Sequence, residues 1–243
     1  MANNSRTKSE LLFEELCAQH GIVMSRLPVC EKRKQPDYKL TFGEQNVVVE
    51  VKQIEPNKDD KTFTAALKRD GEASQCRNPD DVAERVRNHI KGGMRQIKSY
   101  LQHNPGMPAI LIIFDNAKNE YTDAYTIQTA MHGFEKVVFK LPNRGQPITV
   151  VERGFGPHNN KEIRQDKNQD LSAVATLHEF WDLNTHERGL ALCFYHNNLA
   201  KHPFATKWWK GKNIVHLIIE NKTPGEFQNW VRIDNGEHVS KEE

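Results

Sequence analysis

Residues 36–52 read Pro36-Asp37-Tyr38-Lys39-Leu40-Thr41-Phe42-Gly43-Glu44-Gln45-Asn46-Val47-Val48-Val49-Glu50-Val51-Lys52. Asp37 to Phe42 alternates as a half-buried strand does, and Val47 to Ile54 is a second, β-branched strand. Gly43-Glu44-Gln45-Asn46 is a turn of hairpin size between them. With a side-chain period of two, Val47, Val49 and Val51 point to one side of the second strand. Glu50 and Lys52 then point to the other, side by side. A carboxylate and an ammonium in a valine-rich strand are costly to bury unless something compensates them.

A divalent cation and a phosphate would compensate both. Asp37 opens the preceding strand, so antiparallel pairing across the hairpin can bring it beside Glu50. Two carboxylates that converge repel one another unless one is protonated or a metal bridges them. Carboxylate oxygens and water suit a hard ion such as Mg²⁺ or Mn²⁺. Such an ion polarises a phosphoryl oxygen and lowers the pKa of a bound water. A neighbouring lysine stabilises charge that develops on the phosphorane. For Glu-x-Lys alone, an exposed ion pair is the simpler account. The Pro36-Asp37 pair one hairpin earlier, with a helix before and a helix–strand after, favours a site.

Working outward, residues 8–20 predict a helix whose buried stripe holds Phe13, Leu16, Cys17 and His20, with Gly21 as its stop. Ile22 to Pro28 is expected as a first strand, followed by the basic turn Lys32-Arg33-Lys34. Glu55 to Pro79 is a long polar connection, with a short helix over Thr62 to Arg69. Asp80 or Asp81 can cap the next helix, which runs to about Gln102 on a stripe of Val82, Val86, Ile90, Ile97 and Leu101. Pro105-Gly106 ends it, and Ala109 to Phe114 suits a strand buried on both faces. The order is α/β: helix, three strands, helix, strand in a core over residues 1–120. Residues 121–243 are expected to pack on or extend the core sheet. They would do so with a helix near Thr122–Met131 and strands near Lys136–Leu141, Leu171–Leu177, Leu190–His196, Asn213–Ile219 and Phe227–Ile233. Gly145 to Lys167 is rich in Gly, Asn and charge and is expected to be irregular.

Pro36-Asp37 followed by Glu50-Val51-Lys52 resembles the signature of the PD-(D/E)xK nuclease superfamily, the restriction-endonuclease-like fold, and the order of elements matches that core. Gln96-Ile97-Lys98-Ser99-Tyr100 is similar to the Gln-h-x-x-Tyr motif of RecB-type members. The resemblance covers about residues 8 to 115. It implies metal binding by Asp37 and Glu50 with the Val51 carbonyl, a catalytic Lys52, and Gln96 and Tyr100 in support. The family often adds an acid from the first helix. Glu14 is the choice here, with Glu10 and Glu15 as rivals. The implied activity is Mg²⁺-dependent hydrolysis of DNA phosphodiesters, with Mn²⁺ as a substitute, in restriction, repair or anti-phage defence. A partner ATPase or a homo-oligomer is a further implied association. An RNA-directed nuclease and a non-catalytic nucleic-acid-binding module are the alternatives, since fold does not fix function.

The bulk composition permits this and excludes other classes. Hydrophobic residues make up 37% and charged residues 27% of 243, which suits a globular chain. The longest apolar run, Ala109 to Phe114, is far too short to cross a bilayer, and the polar N-terminus lacks a secretory segment. A cytoplasmic protein without membrane contact is expected. Cys17, Cys30, Cys76 and Cys193 are scattered, which argues against a structural zinc site or a disulfide framework. With 34 basic against 32 acidic residues the net charge is only +2, so any nucleic-acid contact rests on local clusters. In the second helix Arg85, His89, Gln96 and Tyr100 fall near one face. Arg85, Arg87, Lys91 and Arg95 are candidate phosphate contacts, with a solvated helix face as the simpler account. Gly92-Gly93 marks either a close approach to the sheet or to a nucleic-acid backbone, or a kink.

Several other signals fail. His178-Glu179 lacks the second histidine of a zinc helix, and there is no Walker loop or nucleophile elbow. Tyr195-His196-Asn197-Asn198 reads as a turn with local Asn hydrogen bonds. Lys207-Trp208-Trp209-Lys210-Gly211-Lys212 could stack bases, but buried tryptophans under a basic loop explain it as well.

Overall fold

The computed structural model describes residues 6–28, 34–117, 121–141, 149–155, 161–183, 185–219, 230–234 and 237–238. Cys30, Lys32 and Arg33 lie outside them. Among the described residues the fold is α/β, with four helices and a mixed sheet whose strands, numbered in chain order with the ranges below, run β1-β2-β3-β4-β7-β8-β9-β10. The two-residue strand β11, Glu237–His238, adds to the outer edge.

The first helix, α1 (Lys8–Gln19), starts at a capping box in which Thr7 and Glu10 exchange hydrogen bonds. Phe13, Leu16 and Cys17 face inward as expected, whereas His20 sits at the C-cap, half-buried. Strands β1 (Val23–Arg26), β2 (Tyr38–Phe42) and β3 (Gln45–Ile54) follow as an antiparallel meander. Helices α2 (Lys58–Asp70) and α3 (Pro79–Leu101) form the crossover to β4 (Ala109–Asp115), which runs parallel to β3. Asn78, not Asp80 or Asp81, caps α3. Its side chain accepts from the Asp80 amide, and Pro79 occupies the first helical turn.

After α4 (Ala124–His132) comes a separate hairpin of β5 (Glu135–Lys140) and β6 (Thr149–Phe155). The expectation of irregular chain over Gly145–Lys167 is therefore corrected at 149–155. Thr149 and Val150 pair there with Lys140 and Phe139, Val151 falls at a register shift, and the β-branched run Thr149-Val150-Val151 outweighed the surrounding Gly and Asn. Next, β7 (Ala173–Asp182) lies parallel to β4, so the second half of the chain continues the same sheet. Strands β8 (Glu187–His196), β9 (Ile214–Ile219) and β10 (Trp230–Asp234) complete it.

The sheet divides two apolar layers. One face carries Val47, Val49, Val51, Ile110 and Ile112 against α1 and against Phe204 and Trp209. The other carries Val48, Ile54, Leu111 and Ile113 against Val86, Ile90 and Ile97 of α3 and Ile127 and Met131 of α4. The Trp208-Trp209 pair thus belongs to the core: Trp209 is fully buried and Trp208 stacks on Phe42 at 6.2 Å. In the turn after β8, Asn197 donates to the Leu171 carbonyl at 2.7 Å and caps the Leu199 amide. Cys17, Cys76 and Cys193 are free thiols. Among the described residues, no helix is long and apolar enough to cross a membrane.

Candidate active site

The hairpin register places Tyr38 opposite Val49, so Asp37, one residue before β2, comes opposite Glu50. Both side chains project toward the α3 side of the sheet. Because β2 begins only at Tyr38, the Val51 amide has no strand partner on that edge. The Asp37 carboxylate takes its place, with Oδ2 accepting from Val51 N at 2.8 Å. The N–H and C=O of one strand residue point to the same side. The Val51 carbonyl is therefore directed toward Asp37 as well.

Glu50 is completely buried. Neither of its oxygens accepts a hydrogen bond of ordinary geometry, although Lys52 Nζ stands beside Oε1 as an ion pair. Burial first, and then the nearby charge of Asp37, push its carboxyl up to about 8, against the pull of Lys52. Asp37 is also raised, chiefly by burial, with the Val51 amide and Lys52 opposing. Two neighbouring acids with raised pKa values, one of them with both oxygens buried and short of donors, mark a site that lacks positive charge.

Lys52 is held from both ends. Besides Glu50, its ammonium donates to Gln96 Oε1 at 2.8 Å. Gln96 Nε2 in turn donates to the carbonyl of Gln35 at 3.0 Å, just before Pro36-Asp37. One carboxamide on α3 therefore ties the lysine to the loop that carries the first acid. Gly93 explains how α3 comes so near. A methyl group at that position would sit 2.5 Å from Leu111 Cδ1 and 3.3 Å from Glu50 Cγ. Gly92 has open space around it, so close approach, rather than a kink, accounts for one glycine of the pair.

Not every expected residue joins this group. Glu14 is engaged elsewhere: the Tyr38 hydroxyl donates to it at 2.9 Å and Arg6 pairs with it at 3.1 Å. Glu15 is bound by Arg188 at 2.5 Å. Of the three α1 acids, Glu10 is the one whose charge reaches Asp37 and helps to raise it. Glu10 is itself buried, accepting from Arg26 at 2.9 Å and from the Thr7 amide at 2.7 Å. Tyr100 packs on the apolar layer under α3, and its carbonyl accepts from the Asn104 side chain and the His103 amide.

Two of the candidate phosphate contacts on α3 have structural partners instead. Arg87 is buried against Asp80 at 2.6 Å. Arg85 donates to Asp60 at 2.8 Å and to the Glu55 carbonyl at 2.6 Å, and its guanidinium lies 4.1 Å from the Tyr121 ring centroid. Lys91 lies 3.8 Å from Glu162, and Arg95 is exposed.

The sequence reading assigned no role to Asp60 and Tyr121, which brace the loop leaving β3. Tyr121 Oη donates to Asp60 Oδ1 at 2.5 Å. Burial alone would raise Asp60, but Tyr121 and Arg85 overcome it and hold this carboxyl below the usual range. The available signal was Asn57-Lys58-Asp59-Asp60, which forms a capping box at the start of α2.

Among the described residues, no three His, Cys, Asp or Glu side chains group so as to hold a metal by themselves. The oxygen donors here are two carboxylates and one carbonyl, which leaves the remaining positions to water and substrate, as hard divalent ions commonly require. No family model, curated protein or solved structure matches the chain.

Proposed function

We propose that the chain is a metal-dependent nuclease of the restriction-endonuclease-like type, hydrolysing phosphodiester bonds of DNA. The observation that carries this reading is the fully buried Glu50, whose oxygens accept no hydrogen bond of ordinary geometry and which faces Asp37 with only the Lys52 ammonium beside it. A structural ion pair has no use for a second carboxylate aimed at the same point, since the like charge of Asp37 raises Glu50. A site that awaits a divalent cation does.

Asp37, Glu50 and the Val51 carbonyl would hold Mg²⁺, with Mn²⁺ as a substitute. When bound, the ion supplies positive charge and makes a coordinated water more acidic. The protein's own groups do the rest. Lys52 stabilises the negative charge that grows on the phosphoryl oxygens. Gln96 fixes the ammonium where Glu50 alone would leave it free to swing. Gln35, through its carbonyl, couples that lysine to the first acid. A nucleic-acid partner and a cytoplasmic setting in restriction, repair or defence fit this chemistry.

The test is a cleavage assay on linear, circular and single-stranded DNA, and on RNA, with Mg²⁺ or EDTA. Expected are cleavage of DNA that requires the metal and falls by roughly 10² or more in Asp37→Ala, Glu50→Ala and Lys52→Ala. Glu179→Ala should be nearly neutral. Wild-type rates in Lys52→Ala refute the mechanism. Metal-independent binding of DNA without any cleavage would instead identify a binding module, and cleavage confined to RNA would reassign the substrate.

A further inference from the structure

His89 lies on the α3 face that carries Gly93 and Gln96, seven residues before the glutamine that holds Lys52. Positions 89, 93 and 96 form one strip of the helix, and Gly93 lies directly over Glu50. The imidazole is half-buried, and neither ring nitrogen has a hydrogen-bond partner among the described residues. That is unusual in a region where Arg85, Arg87 and Gln96 are all engaged. The charged groups facing it are Lys52 from β3 and Arg85 from its own helix. Partial burial and these two cations lower its pKa, so the ring is an uncharged proton acceptor at neutral pH. A core histidine would be expected to spend a ring N–H on a carbonyl, as buried His216 does with Trp209.

We infer that His89 is a further catalytic residue of this site, its ring nitrogen accepting the proton of the water that attacks a phosphate beside Lys52. This inference rests on the hydrolytic reading above. In the step, the water oxygen forms a bond to phosphorus and one P–O ester bond breaks. The bonding pair leaves with the departing sugar oxygen, which takes a proton from solvent. His89 later returns its proton to solvent, so one water is consumed and nothing is oxidised or reduced.

The experiment measures Mg²⁺-dependent cleavage of linear DNA by wild type, His89→Gly and His89→Asn, with imidazole and its substituted analogues added. Expected is a loss of about 10² in kcat for both variants, with KM within about threefold. Added imidazole should restore His89→Gly at least about tenfold, with rates that rise with the basicity of the analogue. Asn keeps the helix and the polarity but cannot carry the proton, so it covers the case in which the glycine variant folds poorly. Wild-type rates in His89→Asn overturn the inference while leaving the nuclease reading intact. Rescue that ignores basicity also overturns it, because that is cavity filling. If the wild-type protein itself fails to cleave any nucleic acid with Mg²⁺, both readings fall.

Discussion

Gln96 Oε1 accepts a hydrogen bond from Lys52 Nζ at 2.8 Å, across the gap between α3 and β3. An amide is a good partner here because it orients the ammonium without neutralising it. Gln96→Glu would add a third carboxylate near Asp37 and Glu50, and Gln96→Leu would free the lysine. Both should lower kcat by roughly 10-fold to 100-fold while leaving DNA affinity within a few-fold, since positioning errors are felt in the transition state. Steady-state kinetics beside a binding titration will show it. Equal losses in affinity and kcat would instead assign Gln96 to substrate binding.

The hairpin, the two acids and the lysine were legible because strand periodicity is short-ranged: register across one turn fixes that Asp37 meets Glu50. The Gln96 contact was legible only as a motif. What was not legible was which α1 acid turns toward the site. Glu10, Glu14 and Glu15 lie within two turns of one helix, and the choice depends on Arg26, Tyr38 and Arg188, from three different strands. Likewise Arg85 read as a surface cation because its partners Asp60 and Tyr121 lie 25 residues before and 36 after it. The β6 strand was hidden by neighbouring Gly and Asn residues, which local propensity weighs more heavily than a partner strand does.

Burial of Glu50 makes stability depend on pH in a definite direction. Its folded pKa, about 8, lies above its ordinary value of 4.5. The folded protein therefore binds more protons than the unfolded chain between those values. The stabilisation from the neutral carboxyl is complete below pH 4.5 and is lost as pH rises through about 8. Without metal, the wild type should lose a few kcal/mol across this window, with a slope of at most roughly 1.4 kcal/mol for each step of one in pH. Glu50→Gln should lack that slope. Chemical denaturation at pH 5 and pH 8.5 in EDTA measures the difference. Adding Mg²⁺ at pH 8.5 should raise the melting temperature of the wild type and leave that of Glu50→Gln nearly unchanged. A wild-type profile parallel to that of the Gln variant would show that Glu50 is ionised in the metal-free protein.

The adjacent glycines of α3 should respond oppositely to alanine. At Gly92 nothing lies within 4 Å of an added methyl, so helix propensity alone operates and Gly92→Ala should stabilise by up to ~1 kcal/mol. At Gly93 the same methyl would meet Leu111 at 2.5 Å in a closed core, and Glu50 at 3.3 Å. Overpacking of this kind costs about 1–3 kcal/mol, which exceeds the propensity gain. Gly93→Ala should therefore destabilise in urea unfolding and also reduce cleavage, because an α3 pushed away from Leu111 and Glu50 carries Gln96 away from Lys52. Similar stability changes at the two positions would mean that α3 does not press on β3.

The α1 acids offer a direct comparison. Glu10 is buried, bonded to Arg26, and near enough to Asp37 to raise it, whereas Glu14 is occupied by Tyr38 and Arg6. Removing a charge that repels Asp37 should make metal-free Asp37 easier to ionise, but it should also reduce the negative field that attracts a cation. The second effect acts on a doubly charged ion and should prevail. Glu10→Gln is therefore expected to weaken Mg²⁺ activation several-fold, seen as a higher metal concentration for half-maximal cleavage. Glu14→Gln keeps a hydrogen-bond acceptor for Tyr38 and should change that concentration by less than about twofold. The opposite ranking would return the role to Glu14 and require α1 to turn once metal and DNA are bound.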